Sequence, residues 1–199
     1  MKNNLTKIQE SIFILCTLQA LLDEYLKCLT KEKDKPDSVL FSIISSQIII
    51  TSCSYLDEWE FLGKLIKVEK ETRIITLRKI TKPVLNRINQ WKDMRQFRNN
   101  MIAHNHRIKK EENSLAIFSM SRHLNCPYSF YDYKLLIGCI FITKNILLRI
   151  FQNEYNKLIP SIKNIEAIKP VNEIKDNKAY KNEFDSLTRD VQALLDELI

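Results

Sequence analysis

Residues 6–29 read TKIQESIFILCTLQALLDEYLKCL. With Leu5 just ahead of it, Ile8, Ile12, Leu15, Leu22, Tyr25 and Leu29 fall on one broad stripe at helical spacing, the pattern of a helix with one buried face. Thr6 followed three residues later by Gln9 forms a capping box, in which each side chain satisfies a backbone N–H of the other at the helix start. Residues 31–36 are a charged break that ends at Pro36.

Outward from this helix the same reading repeats. A second helix starts near Asp37 or Ser38, both able N-caps, and runs through Ile43, Ile44, Ile48, Cys53, Leu56 and Trp59 to about Leu62. Its β-branched run Ile48-Ile49-Ile50 also suits a strand, but the length without turn signals favours a buried helix. A third helix spans about 71–102, with a kink or break expected near Pro83, since proline removes a backbone donor and crowds the preceding turn. Beyond Pro83, Leu85, Ile88, Trp91, Met94, Phe97 and Met101 form an apolar stripe. Residues 107–127 read as irregular, with a short apolar piece at 115–120 that suits a strand, a hairpin or a lid. A fourth helix spans about 129–158, apolar around most of its circumference from Leu135 to Phe151, and Pro160 is expected to end it. Residues 161–178 read as a linker. A last helix, from about Asn182 to Ile199, carries the narrow apolar face Phe184, Leu187, Val191, Leu194 and Leu195.

The whole chain has 199 residues and two glycines, Gly63 and Gly138, too few for the tight hairpin turns of an all-β fold. The expected fold is therefore all-α: an antiparallel four- to five-helix bundle over 1–160, with an additional C-terminal helix beyond a linker at 161–199. The five cysteines form no CxxC pair and are odd in number, which points away from a disulfide framework. Gln9, Glu10, Asp23 and Glu24 interrupt any secretory pattern, and the longest apolar runs, 135–142 and 48–50 with their neighbours, are too short to cross a bilayer. A soluble, cytoplasmic protein with no membrane partner is expected.

Charge is unevenly placed. The formal net charge is +7, yet residues 64–110 hold 14 Lys/Arg against 3 Asp/Glu, and residues 171–199 hold 4 against 7. A basic middle fits a polyanion; Lys-rich solvated helix faces are the plainer alternative. In that middle stands Arg98-Asn99-Asn100-Met101-Ile102-Ala103-His104. Arg is a permanent cation whose planar donor fork matches phosphate oxygens, and His titrates near neutrality. Arg98 lies at the margin of the buried stripe, so its charge needs a partner. Asp57 and Glu58, late in the second helix, are candidates for that role, against the plainer alternative of a solvated acidic turn.

An all-α chain with Arg-Asn and then Ala-His at the end of a long helix resembles the HEPN superfamily, and the phrase around it is similar to the abortive-infection branch. The resemblance covers about residues 1–160. It implies a homodimer in which two Arg/His motifs form one composite site, and a metal-independent endoribonuclease (a hydrolase of phage defence or toxin–antitoxin systems) acting on RNA, with an antitoxin or other protein as a possible further partner. Inactive members of such a superfamily serve as RNA-binding or interaction modules. The catalytic candidates are Arg98, His104 and Asn99; the RNA-binding candidates are Arg95, His106 and Arg107. Asn99 orients Arg98 or meets RNA in this reading, and helix-terminal backbone bonding is its ordinary alternative. No cofactor is implied. Six positions on an ideal helix separate Arg98 and His104 by roughly 120° and roughly 9 Å, so either the helix loosens before His104 or two chains contribute differently. Some HEPN toxins carry His-x-Tyr, the Tyr being AMPylated; here the third residue is His106, and control of that kind is not expected. His104, His106, His123 and Cys126 are zinc-ligand types, but their spacing matches no common motif closely, and no metal is expected. Trp91 and Phe97 are candidates to stack bases, although their helical spacing favours core positions. No Gly-rich phosphate loop, HExxH or Ser nucleophile elbow is present. The acidic tail is a candidate internal cover for the basic region.

Overall fold

The structure, a computed structural model, describes residues 5–69, 71–103 and 124–163, and in the C-terminal stretch positions 178, 181, 182, 185 and 186. Among the described residues, six helices form the bundle: α1 (Lys7–Lys31), α2 (Val39–Glu69), α3 (Arg73–Ile88), α4 (Met94–Ala103), α5 (Phe130–Ile150) and α6 (Gln152–Lys163). Among the described residues there is no strand. The fold is an all-α helical bundle, as the apolar stripes require.

Helix starts follow the sequence chemistry. Thr6 and Gln9 make the reciprocal capping box, Ser38 Oγ accepts from the Phe41 N–H at 3.0 Å ahead of α2, and Ser129 with Asp132 caps α5 in the same reciprocal way. Such caps contribute about 1 kcal/mol each by satisfying donors that have no partner inside the helix. Burial works to raise the pKa of the Asp132 carboxyl, but hydrogen bonds from Ser129 and the Tyr128 N–H outweigh it and hold it below its ordinary value.

Neighbouring helices alternate in direction. Ser11, early in α1, bonds Glu58, late in α2, so these two run antiparallel; they share the bundle's most extensive contact. Phe41 meets Tyr133 edge to face at 6.3 Å, and Tyr55 bonds Thr143 at 3.0 Å, so α2 and α5 run in the same direction, as the second and fourth members of an up-down-up-down bundle do. The core they enclose includes Ile12, Leu15, Leu22, Ile48, Tyr55, Leu62, Leu136, Ile140 and Phe151.

Two expected helices are each divided. The third does not break at Pro83, which lies inside α3. It breaks at 89–93, where Asn89 ends α3 and Asp93 is tied to Asn125 by two hydrogen bonds, Asn125 N–H to Asp93 Oδ2 at 2.7 Å and Asp93 N–H to Asn125 O at 3.2 Å. Those tertiary bonds decide the place: Pro83 forfeits one backbone bond, whereas the 89–93 turn buries Trp91 in the core with Arg87 stacked on it at 4.2 Å. The fourth helix bends by 90° at Phe151, between α5 and α6, and Pro160 lies within α6 instead of ending it. Phe151 is fully buried. Arg73 stacks on its ring at 4.7 Å and pairs with Glu71 and Glu154, each at 2.7 Å, pinning the corner. α2 also continues seven residues past Leu62.

That continuity changes one expectation. Apolar runs counted one by one are short, but α2 carries them through Ser45, Ser46, Thr51 and Ser52 without a break, and Val39–Ile66 is long and apolar enough to cross a bilayer. Over half of its most apolar window is buried inside the bundle, the composition expected of a helix surrounded by others.

The chain divides into compact units Met1–Lys163 and Asn164–Ile199. In the second, Lys178, Lys181, Asn182, Asp185 and Ser186 are helical and exposed. Lys178 and Lys181 are thus helical ahead of the Asn182 at which the last helix was expected to begin, Lys178 within the span read as a linker. The expected strand, hairpin or lid at 115–120 lies outside the described residues.

Candidate functional site

The candidate site is built on the contact of α4 with α2. The two helices run antiparallel, and each carries a charged pair three residues apart, Arg95/Arg98 on α4 and Asp57/Glu60 on α2. Residues at this spacing lie on one helix face. Buried Met94 and Phe97 anchor α4 to the core, which leaves Arg95 and Arg98 facing the acidic pair.

Arg98 is the more sheltered of the two arginines, its side chain 20% exposed. Its Nη1 donates to Asp57 Oδ2 in a close charge-assisted bond. Its other edge is held loosely: Nε and Nη2 both point to Asn99 Oδ1, each at 3.4 Å, at the outer margin for such bonds. Arg95 pairs with Asp57 Oδ1 at 3.1 Å and closely with Glu60. The Glu60 hydrogen bond raises the Arg95 pKa further, against a smaller opposing effect of burial. Two carboxylates thus balance two guanidinium groups. Glu58, the other candidate partner, serves Ser11 on α1 instead.

A cleft of about 280 Å³ adjoins this cluster, between α2, α3 and the 89–93 turn. Arg95 and Glu60 form part of its wall, so the cleft and the ion-pair cluster share residues. Nearby Cys53 is buried, and burial pushes its thiol up to about 11, with Arg98 opposing; it is no nucleophile at neutral pH. Cys126 is likewise buried, its thiol pushed up to about 12.

Of the residues singled out in the sequence, Arg95, Arg98 and Asn99 come together on α4, and Asp57 joins them. His104, His106 and Arg107 lie outside the described residues, immediately past the described end of α4 at Ala103. His123 also lies outside them. Among the described residues, no group of three or more His, Cys, Asp or Glu side chains could hold a metal. Trp91 and Phe97 are core residues; Trp91 also lines the cleft. Glu60, Arg78 and Lys92 were not anticipated. For Glu60 a signal exists in the sequence: the Asp57/Glu60 spacing matches that of Arg95/Arg98 with opposite sign. Arg78 and Lys92 carry no such mark, because what gathers them is the position of the break between α3 and α4.

Comparison with known proteins finds no matching family model, no similar curated protein and no similar solved structure.

Proposed function

We propose that this chain is a metal-independent endoribonuclease of the HEPN type, acting as a homodimer and using Arg98, Asn99 and His104, with Arg95, His106 and Arg107 on the RNA path. The observation that carries the reading is the unequal hold on Arg98. Asp57 fixes the Nη1 end, while the Nε/Nη2 edge rests on two long bonds to Asn99. That edge presents two parallel N–H donors, the geometry a phosphate takes bidentately. A positioned guanidinium with one edge free for exchange suits an anion that arrives with RNA.

The chemistry needs no cofactor. The ribose 2′-hydroxyl attacks the adjacent phosphorus; its proton passes to a neutral imidazole, the 2′-O–P bond forms and the P–O5′ bond breaks. An imidazolium protonates the departing 5′-oxygen. The products are a 2′,3′-cyclic phosphate and a 5′-hydroxyl. Arg98 stabilises the extra negative charge of the phosphorane, the role of a preorganised donor in a sheltered site. One chain brings a single His at the motif, so a base and an acid require two copies of His104, one from each protomer. A cytoplasmic setting and a role as toxin or phage-defence effector, held in check by a protein antitoxin, follow from the same resemblance. The test is cleavage of mixed RNA in EDTA by the wild-type chain and by Arg98→Ala and His104→Ala.

A second reading is favoured by one observation. Asp57 and Glu60 already neutralise Arg95 and Arg98, which is what a structural tether between α2 and α4 would look like. In that reading the chain is a non-catalytic bundle that binds RNA or a protein partner, and it yields salt-sensitive RNA binding without product.

A further inference from the structure

We infer that the cleft between α2, α3 and the 89–93 turn takes one unpaired base of a single-stranded RNA, beside the phosphate that meets Arg98. This rests on the ribonuclease reading and adds to it a subsite and a substrate class. The cleft exists because the helix breaks at 89–93: a straight continuation of α3 would leave no turn to wall it. Its lining is half apolar, with Trp59, Trp91, Leu85 and Met94 among the wall residues. Its polar margin carries Arg78, Lys92 and Asn89, all exposed. Among the described residues no carboxylate pairs with Arg78 or Lys92.

These residues select the ligand by chemistry. The volume, about 280 Å³, lies at the small end of ligand pockets and suits one nucleotide, not a helix of paired bases. Glu60, on the wall, is neutralised by its pair with Arg95, so the cationic groups left for the strand's phosphates are Arg78 and Lys92 at the margin, and the base takes the space between them and the walls. The Asn89 amide offers both donors and an acceptor to a base edge. Arg95 lines the cleft and stands one turn, about 5 Å along the axis, from Arg98, so a base in the cleft and a phosphate at Arg98 belong to adjacent parts of one strand.

Gly63 supports the same assignment. A Cβ there would stand 3.3 Å from Arg78 Nη1, so the bare backbone of α2 lets the Arg78 guanidinium lie across it at the side of the cleft. Glycine inside a helix is destabilising by about 1 kcal/mol relative to alanine, and this position uses the space that results.

The chain's two tryptophans are Trp59 and Trp91, and both line the cleft, so intrinsic fluorescence reads its occupancy. The probe is a single-stranded RNA hexamer, 2′-O-methylated to prevent cleavage, with a fluorescein-labelled copy for anisotropy. A base seated in the cleft against them, with a contact of the order of base–aromatic interactions, predicts tryptophan quenching that saturates with the anisotropy. It also predicts roughly tenfold or greater weakening by Asn89→Phe, which fills the cleft at an exposed helix-end position, with circular dichroism unchanged. Arg78→Ala and Lys92→Ala should each lower the slope of log affinity against log salt by about 0.7. Anisotropy that rises with no quenching, and is untouched by Asn89→Phe, overturns the cleft assignment while RNA binding stands. No anisotropy change with either protein overturns both the cleft and the RNA reading.

Discussion

Replacing Asp57 separates positioning from simple tethering. In Asp57→Ala, Arg98 loses its one close anion among the described residues and Arg95 loses one of two. Charge-assisted hydrogen bonds contribute about 1.5–3 kcal/mol when sheltered, and exposed ion pairs about 0.2–1 kcal/mol. Arg98 is 20% exposed and Asp57 46%, so the pair belongs near 1 kcal/mol. The Arg95 contact, exposed on both sides, adds only a few tenths. The expected loss is about 1–1.5 kcal/mol, which in a unit of this size lowers Tm by about 3–5 °C. A double-mutant cycle with Arg98→Ala, followed by urea denaturation, should return a coupling of about 1 kcal/mol. Asp57→Asn adds the functional half: it removes a negative charge, so RNA binding at low salt should not weaken, while cleavage should fall by about tenfold or more because the guanidinium is no longer held. A coupling within about 0.3 kcal/mol of zero, or cleavage unaffected by Asp57→Asn, would refute the claim that Asp57 positions Arg98.

Three further outcomes follow from the packing. Phe151→Ala, at the fully buried corner between α5 and α6, should cost about 3–5 kcal/mol, read as a large fall in Tm; a shift of only a degree or two would mean the corner is not a core element. Gly63→Ala should stabilise by up to about 1 kcal/mol, because the atom it approaches is the flexible end of Arg78, and a lowered Tm would show that Arg78 cannot move aside. Hydrogen bonds from Arg73 hold Glu71 and Glu154 below the ordinary carboxylate value of 4.5; folded values depressed in this way give stability that is present above that value and lost as pH falls through the depressed ones. Thermal melts of the wild type should therefore lose stability below about pH 4.5 more steeply than those of Arg73→Met, and parallel curves would contradict the network.

The residues that carry periodicity made the fold legible. Ile8, Ile12, Leu15, Leu22 and Leu29 are all buried on α1 as their spacing demands, and Thr6, Ser38 and Ser129 cap where local chemistry puts them. What stayed hidden was set by long-range contacts. The 89–93 break depends on Asp93 meeting Asn125, and the corner at Phe151 on Arg73 reaching Glu154 from 81 residues away; neither partner is visible from its own segment. Pro83 and Pro160 misled because a buried helix face outweighs the one backbone bond that a proline removes. The site was legible in part for the same reason. Arg98 stood out by residue type and by its place at the edge of a stripe, and Asp57, with Glu58, as a candidate partner across an antiparallel helix pair. Arg78 and Lys92, in contrast, belong together only once the chain has turned.

The central claim is that Arg98 and His104 together cleave RNA without a metal. The most direct measurement incubates the purified chain, and its Arg98→Ala and His104→Ala variants, with mixed RNA in EDTA and resolves the product ends. The account predicts products ending in 2′,3′-cyclic phosphate and 5′-hydroxyl from the wild type, and none from either variant while circular dichroism shows the fold intact. Undiminished cleavage by a variant, or RNA binding by the wild type with no product at all, would contradict it.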